Sequence, residues 1–394
     1  MELNEKIYTK NYFTHNDLLK GVNLNFTMSA QPNRQRGIKD DDAPYSFSKE
    51  QQETPDLMQY VDQYNGLAYF DTANGEPVYV KVALSPVSIE NAKRNMQAEL
   101  PGWDFEQAAT GAGETWNREL NKIQIQTADA SVKKVFYTAM YHTMVAPSVF
   151  CDVNRDYRGA DGKIHTGASF VNHTTFSLWD TYRAAQPLMT IIYPEKINDI
   201  INTMLHIYKE QGKLPVWHLM GCETDCMVGN PAVSIVADAC LKDFDGFDKN
   251  LAYEAMKASS MLDERGLKYL KEYGYIPYDK EEEGLSKAME YAIADWSLAQ
   301  VAKAMNKTDD YNYFSKRSQS YKYYFDKTTG FMRGLSSGGK FRTPFNPFES
   351  VHRDNDYVEG NAWQYTWLVP RDKYYIDYKD IVKGGTLEII MGGK

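Results

Sequence analysis

The stretch from His352 to Pro370 holds the residues best suited to chemistry. Glu359 stands between two aspartates, Asp354 and Asp356, and an aromatic run, Trp363, Tyr365 and Trp367. A carboxyl that must give up a proton works best in a partly apolar pocket, where desolvation raises its pKa. Indole and phenol rings offer apolar faces with polar edges, against which a sugar ring can lie. Asn361 and Gln364 add amide groups that suit hydroxyls or a hard cation. An acid, an aromatic wall and neutral positioning groups make a carbohydrate site. The competing structural reading is a helix start, with Glu359 favouring the dipole and the aromatics in the core.

Cleaving a glycosidic bond normally takes two carboxyl groups. In an inverting reaction one protonates the leaving oxygen, and the other, ~6.5–9.5 Å away, activates water on the far face of the sugar. The further candidates are Asp180, Glu223, Asp225, Asp238 and Glu290. Trp179 and Asp180 with Arg183 could hold a sugar, by stacking and by accepting from two hydroxyls. Asp180 and Arg183 could instead be an i,i+3 helix pair worth ~0.2–0.5 kcal/mol. Glu223 and Asp225 read as loop residues between Gly221 and Gly229. Asp238, flanked by alanines, reads as a buried and paired helix carboxylate. Glu290, in a helix beginning near Ser286, could face the interior but reads as a plain helix glutamate. His173 and His352 are lone histidines and read as hydrogen-bonded structural residues.

These groups need a large scaffold, and 394 residues supply one, enough for two or three domains. A net charge of −9 excludes the basic face that nucleic-acid binding normally needs. The 29 tyrosines fit a carbohydrate enzyme and equally a large core. Cys222 and Cys226 are spaced as metal ligands can be, and could share a helix face. No second pair completes a zinc set, so the four cysteines are expected as buried free thiols, without zinc or a disulfide framework. No run approaches the ~20 apolar residues of a membrane span. The N-terminal sequence lacks the regions of a signal peptide.

Taken in order, Leu24, Phe26 and Met28 alternate with polar residues, as in a half-buried strand. Asp40-Asp41-Asp42 and the polar residues after it read as a linker. Asn11 to Met28 has a near copy in Lys373 to Met391, pairing Asp17 with Asp380, Gly21 with Gly384 and Met28 with Met391. Leu67–Phe70 and Val78–Leu84 read as strands. Ser85-Pro86 predicts a helix start, running to Leu100, and Asp104 with Gln107 predicts another. Ile123 and Ile125 suggest a brief strand. Val132, Val135, Phe136, Ala139 and Met140 then repeat at helical spacing, as do Ile197, Ile200, Ile201, Met204, Leu205 and Tyr208. Further helices are predicted from Asn230-Pro231 and over about 249–263, 286–305 and 310–326. Helices alternating with long loops, without strand runs, suggest a toroid of helical hairpins.

Glu359 to Trp367, E-G-N-A-W-Q-Y-T-W, resembles the signature of glycoside hydrolase family 92, calcium-dependent α-mannosidases of mostly bacterial origin. Phe176 to Leu188 and Leu214 to Gly229 resemble two further family motifs, and the similarity runs from about Tyr79 to Pro370. The resemblance implies an α+β chain, with an N-terminal β-sandwich portion followed by an incomplete (α/α)6 toroid of helical hairpins. The expected division is 1–50 and 371–394 as terminal β segments, repeated at 373–391, with 51–128 as sandwich tail and linker helices and 129–370 as barrel. It implies Glu359 as the general acid, and Asn361 and Gln364 for sugar hydroxyls or calcium. Trp179, Asp180, His218, Glu223 and Trp363 are implied as substrate-binding residues. The implied reaction is inverting, calcium-dependent release of terminal α-linked mannose, α-1,2 by expectation, from glycans including N-glycans. The implied compartment is the periplasm or the extracellular space. Two departures matter. The family's V-P-H-D reads Val369-Pro370-Arg371-Asp372 here, and no general-base loop follows Glu359. The expectation is a chain that keeps the acid half of the mechanism and lacks the base half. The alternatives are a non-catalytic sugar-binding remnant, or another (α/α)6 glycosidase of the glucoamylase or trehalase kind.

Overall fold

The computed structural model describes residues 2–7, 24–25 and 81–369, apart from 352 and 354. Two compact units divide between Val80 and Lys81. In the first, β1 (Glu2–Leu3), β2 (Lys6–Ile7) and β3 (Leu24–Asn25) form an antiparallel sheet in the order β2-β1-β3. Asn4 and Glu5, both at positive φ, turn β1 into β2. The strand expected at Leu24 to Met28 is thus present at Leu24–Asn25. The linker at Asp40–Asp42, the strand at Leu67–Phe70 and the copy at Lys373–Met391 lie outside the described residues.

The second unit is rich in helices with short antiparallel strand pairs. It opens with α1 (Ile89–Glu99), α2 (Phe105–Leu120) and α3 (Ala130–Thr143). Asp104 and Asp129 cap α2 and α3 by accepting from backbone N–H groups of the first turn. The cap of α1 is Ser88, not Ser85. Ser85 Oγ instead accepts from the Val87 and Ser88 N–H groups and donates to Asp152, which bends the chain just before the helix. No strand forms at 81–84 or around Ile123 and Ile125. The helical repeat in α3 places a helix correctly but not a core face. Met140 is its buried residue, while Val132 and Val135 stay exposed.

The chain continues through β4 (Ser148–Val149), β5 (Tyr157–Arg158), β6 (Ile164–His165), β7 (His173–Thr174) and β8 (Phe176–Ser177). Then come α4 (Leu178–Thr181), α5 (Ala185–Ile192), α6 (Pro194–Gln211), β9 (Trp217–Leu219), β10 (Cys222–Glu223), α7 (Pro231–Leu241), α8 (Lys249–Met261) and α9 (Leu267–Tyr273). After them stand α10 (Gly284–Ala304), α11 (Thr308–Arg317), β11 (Phe325–Asp326), β12 (Phe331–Met332) and α12 (Ala362–Tyr365). Pro194 and Pro231 occupy first-turn positions where a missing N–H costs nothing, and Gly212 ends α6 at φ 85°. Strands β10, β9 and β8 pair in that order, so the supposed loop around Glu223 is a hairpin. Cys222 and Cys226 lie on this hairpin and the turn after it, both exposed. That corrects the expectation of buried thiols on a helix face.

Helix α10 is the spine of the unit. It is buried around most of its circumference, as a helix apolar on all sides must be. Its first half, Leu285 to Ala292, joins a core with α9, Tyr324, Met332, Tyr357 and Tyr365. Its second half, Ala294 to Ala302, joins another with α6, α7, α8 and Phe314. Where the helices meet, a buried bidentate pair ties α11 to α10: Arg317 donates to both Asp295 oxygens, at 2.7 and 2.6 Å.

Candidate active site around Glu290

Two polar residues of α10, Ser286 and Glu290, lie one helical turn apart and therefore on one face. That face gathers the three sequence motifs. Glu290 is 5% exposed. It accepts from Trp179 Nε1 at 3.1 Å and from the Tyr182 hydroxyl at 2.6 Å, both in the first motif. Gly229, which ends the second motif at φ 85°, lies directly against it: a Cβ there would stand 2.6 Å from Glu290 Cβ. Ser286 holds the third. Its Oγ donates to the Asp356 carbonyl at 2.7 Å and accepts from the Val358 N–H at 3.0 Å, beside Glu359. The Tyr365 hydroxyl donates to the Val358 carbonyl at 2.8 Å and closes the loop on itself.

Burial pushes the Glu290 carboxyl above the ordinary carboxylate range, outweighing the lowering by the Tyr182 hydroxyl, Arg183 and the Trp179 indole. Glu359 itself is exposed, at φ 47°. The sequence signal for Glu290 was weak. Its neighbours on α10 are alanines, methionine and tyrosine, which read as an ordinary core helix. Only the tertiary fold brings Trp179 and Tyr182 onto its carboxylate.

The remaining candidates fall into several settings. Trp179 is half-buried against Glu290, whereas Asp180 is exposed and accepts from Ser177 Oγ. Arg183 does not pair with Asp180; it donates to the Leu368 carbonyl at 2.9 Å. His218, on the central strand β9, is 3% exposed and neither ring nitrogen has a hydrogen-bond partner. Burial pushes it down to about 4. The Glu223 carboxylate accepts from the Val216, Trp217 and Asp225 N–H groups at 2.8–2.9 Å and so clamps its own hairpin. Asp225 pairs with Lys213 and Arg265. Asp238 pairs with Lys242 but is only partly buried. His173 is buried on the Val171 carbonyl. Trp363 is partly exposed and edge-on to Phe331. His352 and Asp354 lie outside the described residues.

Asn361 and Gln364 form a capping box on α12. Asn361 Oδ1 accepts from the Trp363 and Gln364 N–H groups, and Gln364 Oε1 accepts from the Asn361 N–H. Calcium takes six to eight oxygens, usually with carboxylates among them. Asn361 Oδ1 already accepts two bonds, and two amide oxygens without a carboxylate do not by themselves make that donor set.

The site is thus a buried acid against an indole, on a helical scaffold with short strand pairs. Residues 91–374 match the family model described as the glycosyl hydrolase family 92 catalytic domain, and the chain belongs to that family. Among solved structures it is similar to a family 92 α-mannosidase from Bacteroides thetaiotaomicron in complex with mannoimidazole. The two are 42% identical with a TM-score of 0.69, over 73% of this chain and 38% of that one. It is also similar to a family 92 inverting mannosidase from the same species, at 29% identity and a TM-score of 0.70, over 75% of this chain and 41% of that one. A curated relative, an uncharacterized secreted glycosidase from Arthroderma benhamiae, is 26% identical over 301 residues, covering 71% of this chain and 34% of the relative. The chain therefore spans well under half the length of each. No helix among the described residues is long and apolar enough to cross a membrane.

Proposed function

We propose that this chain is the sugar-holding part of an exported enzyme that releases terminal α-linked mannose from glycans with inversion, with Glu290 as the general acid. The observation that carries this is the Glu290 carboxyl, buried between Trp179 and Tyr182 with its proton affinity raised. A general acid needs a raised proton affinity before it can pass its proton to the leaving oxygen, and desolvation acts in that direction. Trp179 offers the apolar face for the sugar ring. Glu359 and Trp363 lie on the segment that Ser286 ties to the same helix. The α-1,2 linkage and the calcium requirement are carried by the family resemblance alone.

One observation favours a second reading, sugar binding without turnover. The other buried aspartates among the described residues are already engaged. Asp152 is held by Asn91 and Asn95, Asp295 by Arg317, Asp326 by Arg333, and Asp356 by Arg342 and the Gly334 N–H. Each is committed to a structural partner.

The test is mannose release from α-1,2-mannobiose by the purified chain, with calcium and with chelator, beside Glu290→Gln and Glu359→Gln. Mannose binding is followed by saturation-transfer NMR. Release abolished by Glu290→Gln but kept in Glu359→Gln supports the first reading. Release abolished only by Glu359→Gln returns the acid role to that residue. Binding without release selects the second reading, and a folded chain that does neither overturns both.

A further inference from the structure

The geometry points to a binding site for a divalent first-row transition ion, formed by Asp161, His165 and Glu210. It does not rest on the sugar-site reading, and none of its residues belongs to the three motifs. Asp161 lies in the turn between β5 and β6, His165 on β6, and Glu210 in the last turn of α6. His165 Nε2 stands 3.1 Å from Asp161 Oδ1 and 3.6 Å from Glu210 Oε1. The ligand atoms of all three lie within 4.8 Å of one another. Donors that share one ion at about 2.0–2.2 Å, near tetrahedral or octahedral angles, stand roughly 3–3.6 Å apart.

A fourth residue supplies an independent observation. A Cβ on Gly159 would stand 2.7 Å from His165 Nε2, 2.8 Å from Asp161 Oδ1 and 2.8 Å from Glu210 Oε2. The three donors converge on one small space, and the residue bordering that space has no side chain to fill it.

The surroundings hold each donor in place, as the shell around a metal site must. Glu210 has a side chain 6% exposed. It accepts from the Tyr157 hydroxyl at 2.8 Å and the Ala160 N–H at 2.7 Å. Each carboxylate oxygen has two lone-pair sites, so both retain capacity for an ion. Asp161 Oδ1 accepts from the Lys163 N–H at 3.0 Å. The His165 ring stacks on Tyr157, with centroids 5.0 Å apart and planes 14° from parallel. Two carboxylates face one gap beside the imidazole, with Lys163 Nζ 3.5 Å from the other Asp161 oxygen, and a dication in that gap would be attracted by both. The imidazole nitrogen selects for a transition ion over calcium or magnesium, which prefer oxygen. The competing arrangement, an imidazolium between two carboxylates, explains the ion pairs but not the space beside Gly159. A bound ion would fasten the β5–β6 hairpin to the end of α6, and so stabilise the fold by binding the native state.

The experiment is Mn2+ titration of the purified, metal-stripped chain, read by EPR in a large excess of calcium that fills oxygen-only sites. One tightly held Mn2+ per chain is expected, with a rise in melting temperature on its addition. Asp161→Asn and His165→Ala should each weaken binding at least about tenfold and abolish that rise. Gly159→Ala should weaken it by placing a methyl among the donors. Circular dichroism in chelator establishes that each variant is folded. Asp161→Asn, which keeps size and shape, decides alone if His165→Ala does not fold. A folded wild-type chain that holds no Mn2+, or binding unchanged in Asp161→Asn, would overturn the proposal.

Discussion

Glu290 sits between opposed influences. Burial raises its proton affinity, while the Tyr182 hydroxyl and the Trp179 N–H stabilise the carboxylate; burial prevails. If the chain turns over substrate, Glu290→Gln should lower the rate about 10²–10⁴-fold, the usual share of a positioned acid. Tyr182→Phe, which removes a donor to the carboxylate, should move the alkaline limb of the rate profile to higher pH. An unmoved limb would show that Glu290 is not the acid. His218 supports a stability prediction instead. Its folded value of about 4 lies below the ordinary 6.5, so between those pH values the unfolded chain binds the extra proton. His218 therefore contributes stability that is fully present above pH ~6.5 and lost as pH falls toward ~4, by up to ~3 kcal/mol. Urea melts of the wild type and His218→Leu at pH 7.5 and 5 should show the wild type losing markedly more on acidification. Parallel losses would sink the idea. At this scale the sequence was legible where a residue's neighbours in the chain are its neighbours in space. The lone-histidine reading of His173 matches its bond to Val171, two residues away. Glu290 takes its partners from more than a hundred residues earlier, so its chemistry could not be read locally.

Among the elements, helices announce their ends and hide their faces. Asp104 and Asp129 mark true starts because a cap is a local hydrogen-bonding need, and Pro231 marks one because its ring suits the first helical turn. The apolar stripe of α3 predicted burial that Val132 and Val135 do not have, because burial depends on what packs there. Asn361 and Gln364 carried a capping box in plain sight, yet read as ligands because the signature around them suggested a site. The Arg317–Asp295 pair tests how α11 is fixed to α10. Both members are buried, so removing Arg317 takes from Asp295 its bidentate, charged partner. Arg317→Met should cost about 3–5 kcal/mol, measured as a fall in the urea midpoint. Adding Asp295→Asn should recover much of that loss. A double variant no more stable than Arg317→Met would show that the carboxylate's charge is not what hurts. Ser286→Ala should cost about 1–2 kcal/mol, since Asp356 and Val358 keep their bonds to the Ser286 N–H and Tyr365 hydroxyl. A larger loss of mannose binding than of stability would identify Ser286 as a positioning residue for the 356–365 segment.

At the scale of the molecule, α10 decides how the second unit unfolds. The two cores of that unit meet on it, one on each half. Neither can lose its half without exposing polar backbone groups of a helix buried on most sides. Residues 176–369 should therefore melt as one cooperative body. Far-ultraviolet ellipticity and tryptophan fluorescence report on different parts of that body. Trp296 lies on the second half of α10, and Trp363 lies against Phe331, which packs on the other core. Their urea transitions should coincide. A glycine in the helix interior tests the same point more sharply. Ala294→Gly, at the junction of the two halves, should cost about 1 kcal/mol from helix propensity, plus a little for the lost methyl. Because the cores share the helix, that cost should move both probes by the same amount. A shift of the fluorescence of one core alone, or two separated transitions in the wild type, would mean that α10 connects the cores without coupling them. The face carrying Ser286 and Glu290 would then lie on a segment able to open by itself. Coincident transitions would mean instead that the carboxyl at Glu290 is held in place by the stability of the whole unit.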